Sequence, residues 1–318
     1  MALLTPNALD KVEILTLQDN YIDITAMDNS AIVTRALPVK DGQIKVSVIA
    51  EHGFAAVVHM TTNDQTKTLL FDFGFSEDGA ARNAAALNVD MTKVEAAVLS
   101  HGHSDHTGGL SSLAEMTGKK GIPLFIHPGV FKNPRYMKFS EQFKIYFPEI
   151  TKERLAKAGW KVVETKEPSL IMNGDCLFLG EVSKQSDFEK GIPLAHFVEN
   201  GVEKWDAIED DTAIVMNLKG KGLVILSGCA HAGIINTVSY ARQVTGIEQV
   251  HAVMGGFHLS GPLFEPIIDR TTQELKKLAP LHVIPCHCTG RKAIMHMEKE
   301  MADQFILNMS GTKLSFSS

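Results

Sequence analysis

Residues 101–106 read His-Gly-His-Ser-Asp-His, four metal-competent side chains within six positions. Neutral imidazoles and a carboxylate suit zinc, iron or manganese better than magnesium or calcium, which favour all-oxygen shells. The apolar run Val94 to Leu99 leads into this loop, and Thr107-Gly108-Gly109-Leu110 follows it. That order predicts a buried strand, a tight loop and the start of a helix, so the loop can turn its donors toward one point. Packing alone gives no reason for such a density of ligands.

One loop cannot complete a metal centre, and three later segments repeat its layout. An apolar strand ending in Ser227-Gly228-Cys229-Ala230 delivers His231, another ending in Gly255-Gly256-Phe257 delivers His258, and a third ending in Pro285-Cys286 delivers His287. Active sites of layered folds collect at strand ends. His231 and His287 are therefore expected as further ligands. His52, beside Gly53, is read as a residue that either supports the metal ligands or contacts substrate, because glycine lets a ligand approach closely. His251 and His282 fall at strand starts, away from the expected site. Cys286 and Cys288 flank His287 and would point to the opposite face of an extended segment, which argues for buried free thiols. Cys229 is open between a soft ligand and a small core residue.

The elements that must carry these residues alternate along the chain. Strands are expected at 12–17, 44–50, 55–60, 68–73, 94–99, 123–127, 170–179, 212–218, 222–226, 249–254 and 282–285, and helices at 77–87, 110–116, 232–243 and 265–277. Two strand-rich halves that each bring helices predict an α/β fold, a four-layer αββα sandwich, taken as one domain over residues 1–318. Residues 128–160 interrupt the pattern. They hold Phe131, Tyr136, Phe139, Phe143, Tyr146 and Phe147 among Lys132, Arg135, Lys138 and Lys144, in a chain with only 16 Phe and 4 Tyr. Two readings stand: an amphipathic helical pair packed on the body, or a lid that offers apolar surface and positive charge to an anionic ligand. In the second, Lys132, Arg135 and Lys138 are substrate contacts.

Composition narrows the partners. Hydrophobic residues make up 44% of the 318, charged residues 21%, and the net charge is −6. That balance fits a globular protein with a sizeable core and argues against nucleic acid as a partner. No apolar run reaches membrane-spanning length, and the N-terminus is too short and polar for a signal peptide. Four cysteines make no disulfide framework, so a reducing cytoplasmic setting is expected.

The loop His101-Gly102-His103-Ser104-Asp105-His106 resembles the H-x-H-x-D-H motif of the metallo-β-lactamase superfamily, and Leu70-Phe71-Asp72-Phe73-Gly74 resembles its apolar strand ending in Asp and Gly. Glu51-His52-Gly53-Phe54, residues 227–234, Gly255-Gly256-Phe257-His258-Leu259 and Pro285-Cys286-His287-Cys288-Thr289-Gly290 resemble its dihydropteroate-synthase-like branch. That branch takes its name from an archaeal enzyme of tetrahydromethanopterin synthesis, which joins a dihydropterin diphosphate to a ribofuranosylaminobenzene phosphate. The resemblance implies the αββα fold and one or two divalent metals, zinc by default and iron or manganese as alternatives. It places His101 and His103 on a first metal, Asp105 and His106 on a second, and His287 at the last ligand position. No Gly-His-Thr-Pro-Gly-like motif supplies the third ligand of the first metal, and His231 is expected to replace either that ligand or the bridging aspartate. Cys229 falls where many members carry a bridging aspartate.

The expected activity is a hydrolase of a small anionic ester or phosphoester, using metal-activated water. Asp105 would accept a proton from that water, and His258 would stabilise the leaving group. Asp72 is open between fixing the histidine loop and ending a strand. A transferase acting on a pterin-like diphosphate and a non-catalytic metal-bearing sensor are the rival readings.

Overall fold

The computed structural model describes residues 3–37, 39–40, 42–44 and 47–318. Its frame is two mixed sheets. The 8-stranded sheet runs, edge to edge, Trp160–Glu164, Ile122–Ile126, Val94–Val98, Gln65–Phe71, Ala55–Thr62, Lys11–Gln18, Lys313–Ser317 and Val33–Thr34. The 7-stranded sheet runs Ser169–Ile171, Cys176–Phe178, Ala213–Leu218, Gly222–Ser227, Val250–Gly256 and His282–Cys286, with Ala8–Leu9 pairing alongside Ala213–Leu218.

Four strands of the first sheet, Gln65–Phe71 through Trp160–Glu164, are mutually parallel. So are the last three of the second. Parallel strands covered on both faces read as nearly unbroken apolar runs, as Leu223-Val224-Ile225-Leu226 does. The sheets face each other across a core that includes Phe54, Phe71, Phe178, Met216 and Met254. Helices Gly79–Ala86, Leu110–Thr117 and Lys152–Ala158 cover the outer face of the first sheet through Ala84, Leu113 and Leu155. Helices Ile234–Thr245, Ile268–Leu278 and Arg291–Glu300 cover the second through Val238, Leu275 and Met297. The result is the four-layer αββα sandwich of the metallo-β-lactamase fold. Among the described residues, no helix is long and apolar enough to cross a membrane.

Several elements depart from expectation. The strand expected at 170–179 is a hairpin, Ser169–Ile171 against Cys176–Phe178. Met172, Asn173 and Gly174 all take positive φ and reverse the chain, which the Asn-Gly pair alone could have announced. The strand expected at 44–50 survives only as Gln43–Ile44; residues 45 and 46 lie outside the described residues, and 47–50 are irregular.

Residues 128–160 are no helical pair. Arg135–Lys138 and Lys144–Tyr146 join Ala195–Glu199 and Val202–Trp205 in a separate 4-stranded sheet, and only Lys152–Ala158 is an α-helix. Arg135–Lys138 is too short to show a two-residue alternation, and a partner strand some sixty residues away completes its hydrogen bonds. Phe139, Phe143 and Tyr146 are exposed, whereas Tyr136 is buried.

Phe178 is fully buried between the sheets. Phe178→Ala should lower stability by about 3–5 kcal/mol in chemical denaturation, from lost burial and the cavity left behind.

Candidate metal centre

The parallel strands of both sheets deliver their C-terminal ends to one place. Val94–Val98 leads to His101, His103, Asp105 and His106; Gly222–Ser227 leads to Cys229 and His231; Val250–Gly256 leads to His258; and His282–Cys286 leads to His287. Nitrogen, oxygen and sulfur donors from these four strand ends converge. Within one group lie Asp105, His106, Cys229 and His287; in others, His101 with Cys229 and His231, and His101 with His103 and Asp105. In each group the donor atoms all lie within 4.8 Å of one another.

The contacts are close. His101 Nε2 faces His231 Nε2 at 3.1 Å. Asp105 Oδ2 lies 3.1 Å from His287 Nε2 and 3.3 Å from His52 Nε2, and His106 Nε2 lies 3.1 Å from Cys229 Sγ. His101, His103, His106, His231 and His287 are all buried. His103 also stacks on Phe147, ring centroids 4.4 Å apart, so the segment after Lys144–Tyr146 closes one side of the site.

Burial sets the charge state. It drives the pKa of His101 and His231 well down, helped by neighbouring imidazoles, and with Arg135 brings His103 down to about 4. These rings are neutral near pH 7, the form that ligates a metal. His106 differs: burial pulls it down too, but the carboxylates of Asp72 and Asp105 outweigh it and raise it to about 9. Asp105 is held well below the carboxylate range against its own burial, by His106, His287 and His52.

The loop is pinned from two sides. Asp72, at left-handed φ 58°, accepts the Ser100 N–H and Oγ–H at 2.7 Å each, and its Oδ2 lies 2.6 Å from His106 Nδ1. It therefore fixes the histidine loop, the first of the two roles left open for it. Asp210 accepts the Gly102 N–H at 2.8 Å and is itself forked by Arg135 at 2.9 and 2.8 Å. The Arg135 guanidinium holds Asp210 well below its usual range despite burial. Close approach matters as well: a Cβ on Gly228 would fall 2.1 Å from Ser100 Oγ.

The predicted residues divide. His101, His103, Asp105, His106, His231 and His287 come together, with His52 beside Asp105 at the exposed rim. His258 lies against His231, ring centroids 4.3 Å apart and planes tilted by 59°. The three cations expected to meet an anionic ligand do not offer free charge. Arg135 is buried between Asp206 and Asp210, Lys132 pairs with Asp206 and Glu209, and Lys138 pairs with Glu141 and Glu203. Glu141 stands three residues from Lys138, but the other carboxylates are remote in sequence, which the local charge pattern could not reveal.

Cys288 is also misplaced by the extended-strand argument. His287 takes φ 48° and opens a 3-10 turn, so Cys288 swings toward Cys229 rather than away. The sequence reading passed over Asp210 and Ser100, and over Asp19 and Asn20, which hold the His287 N–H and Nδ1. The tandem acids Asp210-Asp211 before a buried strand were the visible clue to the first. Asp211 is fully buried, and burial raises it to about 7 although the Ala232 and His231 N–H groups oppose the rise.

A sandwich with a histidine-rich site at the mouth of its paired sheets defines a class. The chain belongs to the metallo-beta-lactamase superfamily, whose family model matches residues 51–168. It is 32% identical over 275 residues to the 7,8-dihydropterin-6-methyl-4-(beta-D-ribofuranosyl)-aminobenzene-5'-phosphate synthase of Methanocaldococcus jannaschii, covering 84% of this chain and 90% of that one. An uncharacterized protein of the same organism is 30% identical over 257 residues, 79% of this chain and 88% of its own. The crystal structure of Tm1679, a metal-dependent hydrolase of the beta-lactamase superfamily, superposes with a TM-score of 0.71 at 24% identity, over 96% of this chain and all of that one, a likeness of fold.

Arg135→Ala should destabilise the protein by about 3–5 kcal/mol in urea titration, because it strands the buried carboxylates of Asp206 and Asp210. Asp72→Asn should preserve the fold by circular dichroism yet weaken metal retention about 10–100-fold in chelator competition, since it loosens His106 and Ser100.

Proposed function

We propose that the chain is a metal-dependent hydrolase of a small anionic ester or phosphoester. It would hold one or two divalent ions, zinc by donor type, with iron or manganese as alternatives. The carrying observation is the convergence of His101, His103 and His231 beside Asp105, His106 and His287. The donors fit a cation: two neutral imidazole nitrogens face each other at 3.1 Å, and His231 Nδ1 is buried without a hydrogen-bond partner. Buried polar atoms left this way are costly unless something satisfies them.

A bound ion of this kind lowers the pKa of water and offsets charge on a phosphoryl or acyl oxygen. The chain's own residues do the rest. Asp105, ionised and close to both groups, can orient water and accept its proton. His52 stands against Asp105 with 60% of its side chain exposed, and Asp105 raises its pKa against the effect of burial. It can carry a proton between that carboxylate and a leaving group at the rim. A cavity of about 220 Å³ opens beside His231 and His258, lined by Phe188, Phe257, Leu259 and Phe264. It suits a flat apolar ring, with the anionic end of the substrate turned toward the metal donors. Phe147, stacked on His103, supports reading part of residues 128–160 as a cover over this site.

A second reading is transfer in place of hydrolysis, favoured by the extended identity to the aminobenzene-phosphate synthase. There the same centre would assist departure of diphosphate from a dihydropterin diphosphate, and an aminobenzene ribose phosphate would replace water as acceptor.

His103→Ala should lose tightly bound metal, by plasma mass spectrometry, together with activity on chromogenic phosphoesters; a variant that keeps both removes the proposed centre. Diphosphate release from a dihydropterin diphosphate that requires the aminobenzene co-substrate would establish transfer, whereas release in water alone would establish hydrolysis. Phe264→Ala should raise KM several-fold for aromatic substrates while leaving metal content unchanged.

A further inference from the structure

Beside the histidine and aspartate donors lies a sulfur-rich cluster that shares Cys229 with them and adds Cys288, which the proposed hydrolysis does not use. One donor atom each from Cys229, His258 and Cys288 lie within 4.8 Å of one another. Each arrives from the end of a different strand of the 7-stranded sheet, and the backbone is shaped to bring them there. His287 at φ 48° turns Cys288 back into the protein, with its sulfur 3.6 Å from Cys229 O. Gly256 leaves the space that this sulfur fills: a Cβ there would lie 2.5 Å from Cys288 Sγ and 2.6 Å from Gly228 O. His258 takes φ 46°, a conformation costly for a non-glycine residue. Its ring is clamped between His231 and Phe264, centroids 4.3 and 4.6 Å away.

Packing accounts for part of this. A buried thiol behaves as a small apolar group and needs no partner. The imidazole is different, because His258 Nδ1 is buried with no hydrogen-bond partner. Strained backbone, a slot cut for sulfur and an unsatisfied nitrogen meet at one point. Around tetrahedral zinc, with Zn–S near 2.3 Å, donor atoms stand about 3.8 Å apart. The cluster needs only small adjustments to reach that spacing, and sulfur donors select thiophilic ions.

We propose that Cys229, His258 and Cys288 form a separate thiolate–imidazole site for a thiophilic divalent cation, beyond the one or two ions of the proposed hydrolase. On binding, both thiols release their protons to solvent and the sulfurs become ligands, with no change of oxidation state. Cys229 also lies within reach of His106 Nε2, so its sulfur links this site to its neighbour. The donor set of two sulfurs and one nitrogen leaves a fourth position open, and His258 lines the phenylalanine-walled cavity.

The test is a titration of the metal-free full-length protein with cadmium(II), reading thiolate-to-cadmium absorption in the near ultraviolet and bound cadmium per chain after gel filtration. Cys288→Ser should lose one bound equivalent and at least half of the absorption, any remainder coming from Cys229 on the neighbouring ion. His258→Gln should lose the same equivalent, and it carries the test if the cysteine variant fails to fold. Cys286→Ser, in the core between the sheets, should lose neither. His103→Ala should lose a different equivalent and keep the Cys288-dependent absorption, so failure of the hydrolase centre and failure of this site read out separately. Unchanged stoichiometry and absorption in Cys288→Ser, or absorption from only one thiolate in the parent protein, would overturn the proposal.

Discussion

The structure depends on keeping five buried imidazoles close together, three of them driven to the neutral form. Protonated rings at ring-to-ring distances of 4.3–5.0 Å would repel strongly in a site with little water to screen them. Burial solves most of this by driving His101, His103 and His231 to the neutral form. His106 goes the other way, because two carboxylates raise it. The site is therefore mixed by design: a neutral imidazole side and a side balanced by Asp72 and Asp105. The same arrangement leaves lone pairs unspent, and that makes it a receptor for cations.

Such a cluster cannot hold itself together, so its rigidity comes from outside. Asp72 grips the loop from the neighbouring strand of the first sheet, and Asp210 grips it from the segment leading into the second. Asp19 and Asn20, following the strand Lys11–Gln18, reach across to hold His287. Each sheet thus brings donors, and each also steadies donors brought by the other. A donor cluster assembled across the mouth of two sheets is only as ordered as their packing, which is why the large apolar interior matters to the chemistry.

Much of this was legible in the sequence. The loop at 101–106 concentrates its ligands within six residues, and the buried runs before His231, His258 and His287 marked them as strand ends. The two-sheet architecture followed from the same alternation of elements. What escaped were features that need a distant partner. The basic side chains of residues 128–160 looked free because their carboxylates lie near residue 206. Arg135–Lys138 looked helical because its hydrogen bonds go to Ala195–Glu199. Cys288 looked turned away because one left-handed residue, His287, reversed a direction that the extended rule had fixed. Lys313–Ser317 was missed although its side chains alternate between covered and open faces.

That last strand sits inside the 8-stranded sheet, between Lys11–Gln18 and Val33–Thr34. A gap next to the sheet's edge therefore waits for residues synthesised some three hundred positions after its neighbour. Pairings this remote in the chain form slowly, because so much loop must be closed before any contact rewards it. Asn308 and Ser310, just ahead of this strand, are also what orient Asp19, and through it the backbone of His287. A nascent chain still missing Asn308 to Ser317 would thus hold an open sheet and a loose His287 together, so assembly of the donor cluster waits for the segment that follows it.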